Sequence, residues 1–186
     1  MIRIFDVFFA SLGLILLFPL LILLWVIAWF DNRSPLFKQQ RVGRNQAPFI
    51  LVKFRTMRLN TASVATHLAD PSAVTRWGLF LRRSKLDELP QLWNVLRGEM
   101  SLVGPRPCLF NQGDLIAERA ERAVFNVRPG ITGLSQIQGI DMSTPRLLAE
   151  TDAYMLQHFG TAAYFMYILK TIISVGCGGR IRQKRC

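Results

Sequence analysis

The chain has 186 residues, with 23 Lys and Arg against 12 Asp and Glu, a formal net charge of +11. Hydrophobic residues make up 51% of it and the mean hydropathy is +0.25, high for a wholly soluble protein, and the length suits one compact domain plus a membrane element. Cys108, Cys177 and Cys186 are odd in number and widely spaced, which excludes a disulfide framework or a zinc site and leaves free thiols in a reducing cytoplasm. The positive excess calls for an anionic partner: membrane lipid, nucleotide phosphate or nucleic acid.

From Val7 to Phe30 no residue is charged. The run is too long for the apolar core of a signal peptide and exceeds the roughly 20 residues that carry a helix across a bilayer. Trp25, Trp29 and Phe30 sit where an interfacial aromatic belt would lie. Arg33, Lys38, Arg41 and Arg44 follow the run and only Arg3 precedes it, which puts the rest of the chain in the cytoplasm. Pro19 removes a backbone hydrogen bond in mid-run. A kink there leaves a spanning helix, the default by spacing; a sharper break returns the chain to the same face as a re-entrant hairpin.

Asp31 to Pro48 is polar and turn-rich, and Phe49 to Phe54 reads as a strand or a membrane-surface stretch. Thr61 to Val74 reads as a loop. From Arg76 to Leu96 apolar residues recur at helical spacing, with Gly98 as the C-terminal cap. Two rigid turns follow: Gly104-Pro105-Arg106-Pro107 and Arg128-Pro129-Gly130. Helices are expected over Leu115 to Phe125, Thr144 to Phe159 and Thr161 to Val175; the last is apolar and either lies in the membrane interface or closes the core. Arg180, Arg182, Lys184 and Arg185 form a basic tail suited to anionic lipid, or simply a solvated end. His67 and His158 stand alone and read as surface or packing residues.

Asp87-Glu88 carries the most chemistry. Ser84 and Asp87 have capping-box spacing, whereas Pro90 fits only a first helical turn and argues for a start near Asp87. In either case the helix dipole favours an ionised carboxylate there. Acidic residues are common helix caps, so the pair alone does not establish catalysis. Its company includes Lys53 and Arg55 around Phe54, Arg82 and Arg83, and the turn residues Arg106 and Arg128. Arginine on a fixed backbone suits bidentate phosphate binding. A carboxylate among cations, holding Mg²⁺ together with substrate phosphates, is chemistry for phosphoryl transfer.

Three blocks carry a resemblance: Lys53-Phe54-Arg55-Thr56-Met57, the stretch from Ser84 through Asp87-Glu88-Leu89-Pro90 to Pro107, and Val127 to Gly133. Together they resemble the bacterial sugar transferases known as small monotopic phosphoglycosyl transferases, over nearly the whole chain. The resemblance implies that Asp87 attacks the β-phosphate of a UDP-sugar, releasing UMP, and that undecaprenyl phosphate then takes the phospho-sugar. It implies Glu88 as the catalytic partner, Mg²⁺ at Asp87, and Lys53, Arg55, Arg83, Arg106 and Arg128 as phosphate or nucleotide ligands. Asp152, in Glu150-Thr151-Asp152-Ala153-Tyr154, matches a family aspartate near the active site.

The implied fold is mainly α with a few short strands: a re-entrant membrane helix-break-helix over 1–31, a cytoplasmic catalytic domain with interfacial amphipathic helices over 32–176, and a basic tail over 177–186. The family's Ser-Pro break is Phe18-Pro19 here, and Gln138-Gly139-Ile140-Asp141 stands where relatives often carry Asn-Gly-Arg. The implied setting is the cytoplasmic face of a bacterial inner membrane, in contact with its lipids, in the first membrane step of glycan assembly. The pattern is compatible with a homo-oligomer. A membrane-tethered nucleic-acid-binding protein would need a helix-turn-helix, zinc or ribonucleoprotein motif, none of which is present, so nucleic acid is not expected as a partner. A non-catalytic scaffold of the same fold would have no use for the intact Asp87-Glu88 pair.

Overall fold

A computed structural model describes residues 2–59, 61 and 71–176. The basic tail, Cys177, Cys186, His67 and most of the expected Thr61–Val74 loop lie outside the described residues. The chain runs α1 (Ile2–Leu16), α2 (Phe18–Asn32), β1 (Leu36–Val42), β2 (Pro48–Phe54), α3 (Arg76–Ser84), α4 (Gln91–Leu96), β3 (Ser101–Val103), α5 (Gly113–Glu121), β4 (Gly130–Thr132), α6 (Leu134–Gln138), α7 (Pro145–Gln157) and α8 (Thr161–Gly176). It is mainly helical with short strands, as expected.

No single described helix is long and apolar enough to cross a membrane. The uncharged run is instead two helices bent by 64° at Leu17, and Pro19 lies in the first turn of α2, where its missing N–H is no loss. Much of the pair's apolar surface is exposed, including Phe8, Ile15, Leu16, Phe18 and Phe30. The inward faces are built into the rest of the molecule. Ala10 packs with Phe49, Leu51, Val95 and Met100; Leu24 and Ala28 pack with Phe54 and Leu81.

The two charged residues of α1 dock it. Asp6 is 2% exposed, and its Oδ1 accepts hydrogen bonds from Ser101 Oγ, the Leu102 backbone N–H and Tyr164 Oη, each at 2.9 Å. Arg3 donates to the Leu96 and Met100 carbonyls, satisfying acceptors at the end of α4. One helix is thereby joined to β3, α4 and α8.

β1 and β2 form an antiparallel hairpin with Leu36 opposite Phe54 and Val42 opposite Pro48. The polar stretch before residue 48 is therefore partly strand, with Gln39 and Arg41 on its buried positions. Asn94 fastens α4 to β2, accepting from Val52 N–H and donating to the Ile50 carbonyl. β3 and β4 pair in parallel, which brings the two proline turns side by side: Ser101 N–H donates to the Pro129 carbonyl and Gly130 N–H to Pro105. A Cβ at Gly130 would overlap the Gly104 backbone, so this approach requires glycine.

The helix expected over Arg76 to Leu96 is broken. Thr75 caps α3 by accepting from Gly78 N–H, Lys85 turns left-handed at φ 58°, and Leu86–Glu88 is a single 3₁₀ turn ahead of α4. The capping-box expectation at Ser84 fails, because Ser84 Oγ donates back to the Phe80 and Leu81 carbonyls. Gly98, at φ 83°, ends α4 as expected.

Asp6→Ala should lower unfolding free energy by about 2–4 kcal/mol, since it strands buried donors, and Tyr164→Phe by about 1 kcal/mol. Denaturant titration of the two variants checks this ordering.

Candidate active site

The 3₁₀ turn that carries Asp87 and Glu88 packs against β2, which carries Lys53. Asp87 is 7% exposed. Burial, and then the neighbouring Glu88, push its carboxyl up to about 6, against the opposing pull of Lys53, Lys85 and Arg106. Burial likewise pushes Lys53 down to about 8; Asp87 opposes that shift, while Arg106 and Arg41 add to it. Each group is thus poised to titrate close to neutrality. Glu88 Oε1 meets Arg106 Nη2 at 3.3 Å, which joins the acidic pair to the first proline turn.

That turn is gripped from behind. Arg119, 1% exposed, donates to the Arg106 carbonyl at 2.8 Å and to Asp152 Oδ2 at 2.6 Å, while Asp152 Oδ1 accepts from Ser135 Oγ. Arg41 donates to the Pro107 carbonyl and to Gln39 Oε1. Burial and the nearby Arg106 push Arg41 down to about 10. Two buried guanidinium groups therefore hold consecutive carbonyls of the turn, and the Arg106 side chain is left to face Glu88.

Beside Glu88 lies a cavity of about 270 Å³, which Asp87 itself does not line. Lys85, Glu88 and Arg106 form its charged end, and Leu89, Leu92, Ile131, Ile137, Ile168 and Ile172 much of its wall. A smaller pocket joins Lys53, Arg41, Gln91, Glu88 and Arg106.

Of the residues expected at the site, Asp87, Glu88, Lys53 and Arg106 come together. Arg128 donates to the Gly98 carbonyl at 2.7 Å and, like Asp87, lines neither cavity. Arg55 donates to the Ser34 and Leu36 carbonyls and lies over the Phe37 ring, bracing the exit from α2. Arg83 is exposed on α3. Asp152 is wholly buried against Arg119 and Ser135, so it holds the turn rather than facing a cavity. Lys85, Arg41 and Arg119 join the site or its support without having been singled out; only Lys85, two residues before Asp87, had a signal in the sequence. Near the Gln138-Gly139-Ile140-Asp141 departure, Gly139 ends α6 at φ 71°, just after the cavity residues Gln136 and Ile137.

Among the described residues no three His, Cys, Asp or Glu side chains are arranged to hold a metal. The donor set still suits Mg²⁺, which is usually bound by one or two carboxylates plus substrate phosphates.

Fold and site define a small helical domain in which an acidic pair on a tight turn is ringed by lysine and arginine. The chain belongs to the bacterial sugar transferase family, whose model matches residues 1–178. It is 37% identical over 185 residues to a UDP-glucose:undecaprenyl-phosphate glucose-1-phosphate transferase of Caulobacter vibrioides, covering 93% of this chain and 68% of that one. It is 36% identical over 191 residues to the exopolysaccharide production protein ExoY of Sinorhizobium fredii, covering 93% of this chain and 84% of ExoY. An undecaprenyl-phosphate glucose phosphotransferase of Komagataeibacter xylinus is 46% identical over 147 residues, 74% of this chain and 27% of that protein. Several relatives are much longer; the chain spans 34% of an uncharacterised sugar transferase of Haemophilus influenzae.

The Asp87 carboxyl titrates higher in the fold than its ordinary 3.8, so folding favours its protonated form, and that stability is lost as pH rises toward 6. Asp87→Asn should therefore stabilise the protein by on the order of 1–3 kcal/mol at about pH 8, a gain that shrinks toward pH 4; thermal unfolding across pH reads this. Arg119→Met should cost about 3–5 kcal/mol by leaving Asp152 buried and unpaired, and adding Asp152→Leu should recover much of the loss in denaturant unfolding.

Proposed function

We propose that this chain transfers a phospho-sugar from a UDP-sugar to undecaprenyl phosphate, through an aspartyl intermediate on Asp87, with release of UMP. The observation that carries the reading is the Asp87-Glu88 pair set among Lys53, Lys85 and Arg106. The names of the relatives, which include UDP-glucose:undecaprenyl-phosphate glucose-1-phosphate transferase and undecaprenyl-phosphate galactose phosphotransferase, support the substrate classes.

In the first step a lone pair on an Asp87 carboxylate oxygen forms a bond to the β-phosphorus. The bond from that phosphorus to the bridging oxygen breaks, and UMP leaves with the electron pair. In the second step a phosphate oxygen of undecaprenyl phosphate attacks the same phosphorus and the carboxylate departs. Charge balances in both steps without a net proton, so no general base is required, only an ionised Asp87 as nucleophile. Lys53 and Arg106 neutralise the diphosphate. Glu88 orients Arg106 through their ion pair. Mg²⁺, held by Asp87 with Glu88 beside it, would supply further charge neutralisation on the diphosphate.

The setting we propose is the cytoplasmic face of a bacterial inner membrane, with α1 and α2 as a re-entrant pair. Both ends of the pair engage the same domain: Arg3 and Asp6 bind α4, β3 and α8, while Asp31 Oδ2 accepts from Thr75 Oγ1 next to α3. A true span would part those ends by about 30 Å of hydrocarbon. The exposed apolar surface of the pair and of α8 supports contact with lipid.

Purified protein with Mg²⁺, undecaprenyl phosphate and a UDP-sugar panel that includes UDP-glucose and UDP-galactose should release UMP. Asp87→Asn should reduce that release to background, and mass spectrometry without acceptor should find a phospho-sugar on Asp87. The rate should rise through about pH 6 as Asp87 ionises and fall above about pH 8 as Lys53 loses its proton. Full activity in Asp87→Asn would remove the residue from the chemistry.

A further inference from the structure

We propose that the apolar cavity beside Glu88 and Arg106 seats the phosphate-bearing end of the polyisoprenyl acceptor; the inference rests on the transfer reading above. A nucleotide-sugar offers hydroxyls, an amide-like base and phosphates, and gains little from an aliphatic wall. A lipid phosphate needs both halves of what this cavity provides. Leu89, Leu92, Ile131, Ile137, Ile168 and Ile172 supply apolar surface. Lys85 and Arg106 supply charge for the phosphate, at the end where Glu88 also lies.

The cavity is continuous with the surface a lipid would approach from. Ile172 lines it and is also 63% exposed on α8, beside the exposed Leu169 and Ile173. An isoprenoid chain reaching the phosphate site along α8 meets Ile172 and Ile168, with Thr132, Gln136 and Thr171 as the polar part of the wall. The volume, about 270 Å³, lies near the lower end of ligand pockets, roughly 300–1,000 Å³, and admits the head of a long lipid rather than its whole chain. The remainder runs over the outer face of α8. The acceptor's attacking phosphate then lies beside Glu88 while its tail remains in lipid.

The test uses the full chain in nanodiscs and the variant Ile172→Glu, at an exposed position of α8 on the cavity wall. Two quantities are read: equilibrium binding of undecaprenyl phosphate, with inorganic phosphate as the comparison probe, and the acceptor-free burst of UMP from UDP-glucose. The variant should bind undecaprenyl phosphate about tenfold or more weakly, because a carboxylate enters an apolar wall. Its binding of inorganic phosphate and its UMP burst should fall by a much smaller factor than its binding of undecaprenyl phosphate. Unchanged undecaprenyl phosphate binding overturns the assignment, and so does an equal loss of the UMP burst, which would give the cavity to the nucleotide-sugar. If the parent chain shows no burst with any UDP-sugar, the transfer reading fails, and the binding comparison alone still decides what the cavity holds.

Discussion

Two buried guanidinium groups closing on one turn are the constraint around which this site is organised. Arg119 and Arg41 donate to the carbonyls of Arg106 and Pro107. Each of these arginines gives one donor to a backbone carbonyl of the very segment that presents Arg106 and another to a side-chain oxygen, of Gln39 or Asp152, while the Nε of each is buried without a partner among the described residues. Through Asp152 and Ser135 the same network draws in α7 and α6. The turn's position thus depends on β1, α5, α6 and α7 together. Prolines on either side of Arg106 limit what its backbone can do; the buried arginines decide where that restricted backbone sits.

What the sequence discloses and conceals follows from which forces act locally. The helices α5, α7 and α8 show their period, because burying one face of a helix leaves an apolar stripe. The strand β1 leaves no such stripe, since its buried positions hold Gln39 and Arg41, and a polar residue aimed inward at a partner looks identical to one aimed at water. The break between α3 and α4 is hidden for a related reason. Apolar spacing continues through it, and only the left-handed Lys85 turns the chain. β3 and β4 are three residues each, too short for any period, and their pairing comes from contacts between distant segments.

The candidate site divides the same way. Motif and charge point to Asp87, Glu88, Lys53 and Arg106, which converge. The same reasoning points to Arg55, Arg128 and Asp152, which bond instead to Ser34, to Gly98 and to Arg119. A sequence says that a guanidinium is available. It does not say which carbonyl will claim it, and in a chain with 23 basic residues many such claims are structural. Asp6 is the converse case: a charge at the edge of an apolar run that reads as the run's boundary, yet serves as the acceptor that docks α1 onto β3 and α8.

The electrostatics of the pair connect this architecture to anion chemistry. Burial drives the Asp87 carboxyl up and the Lys53 amine down, each toward its neutral form, although the two attract one another. Desolvation therefore outweighs their mutual attraction at both ends. Around them Lys85, Arg106, Arg41 and Arg82 add positive charge, with Glu88 as the other acid. Arg41 is itself pushed down by burial and by Arg106, a sign that cations crowd one another here. Such a surplus in a partly dehydrated setting is unfavourable by itself and is relieved by an anion with several oxygens. A diphosphate that settles among these groups favours the protonated form of Lys53 while Arg106 and Lys85 offset the charge it brings to Asp87. The side chains that make the substrate-free arrangement electrostatically uneasy are the ones that would keep a carboxylate ionised beside a phosphate.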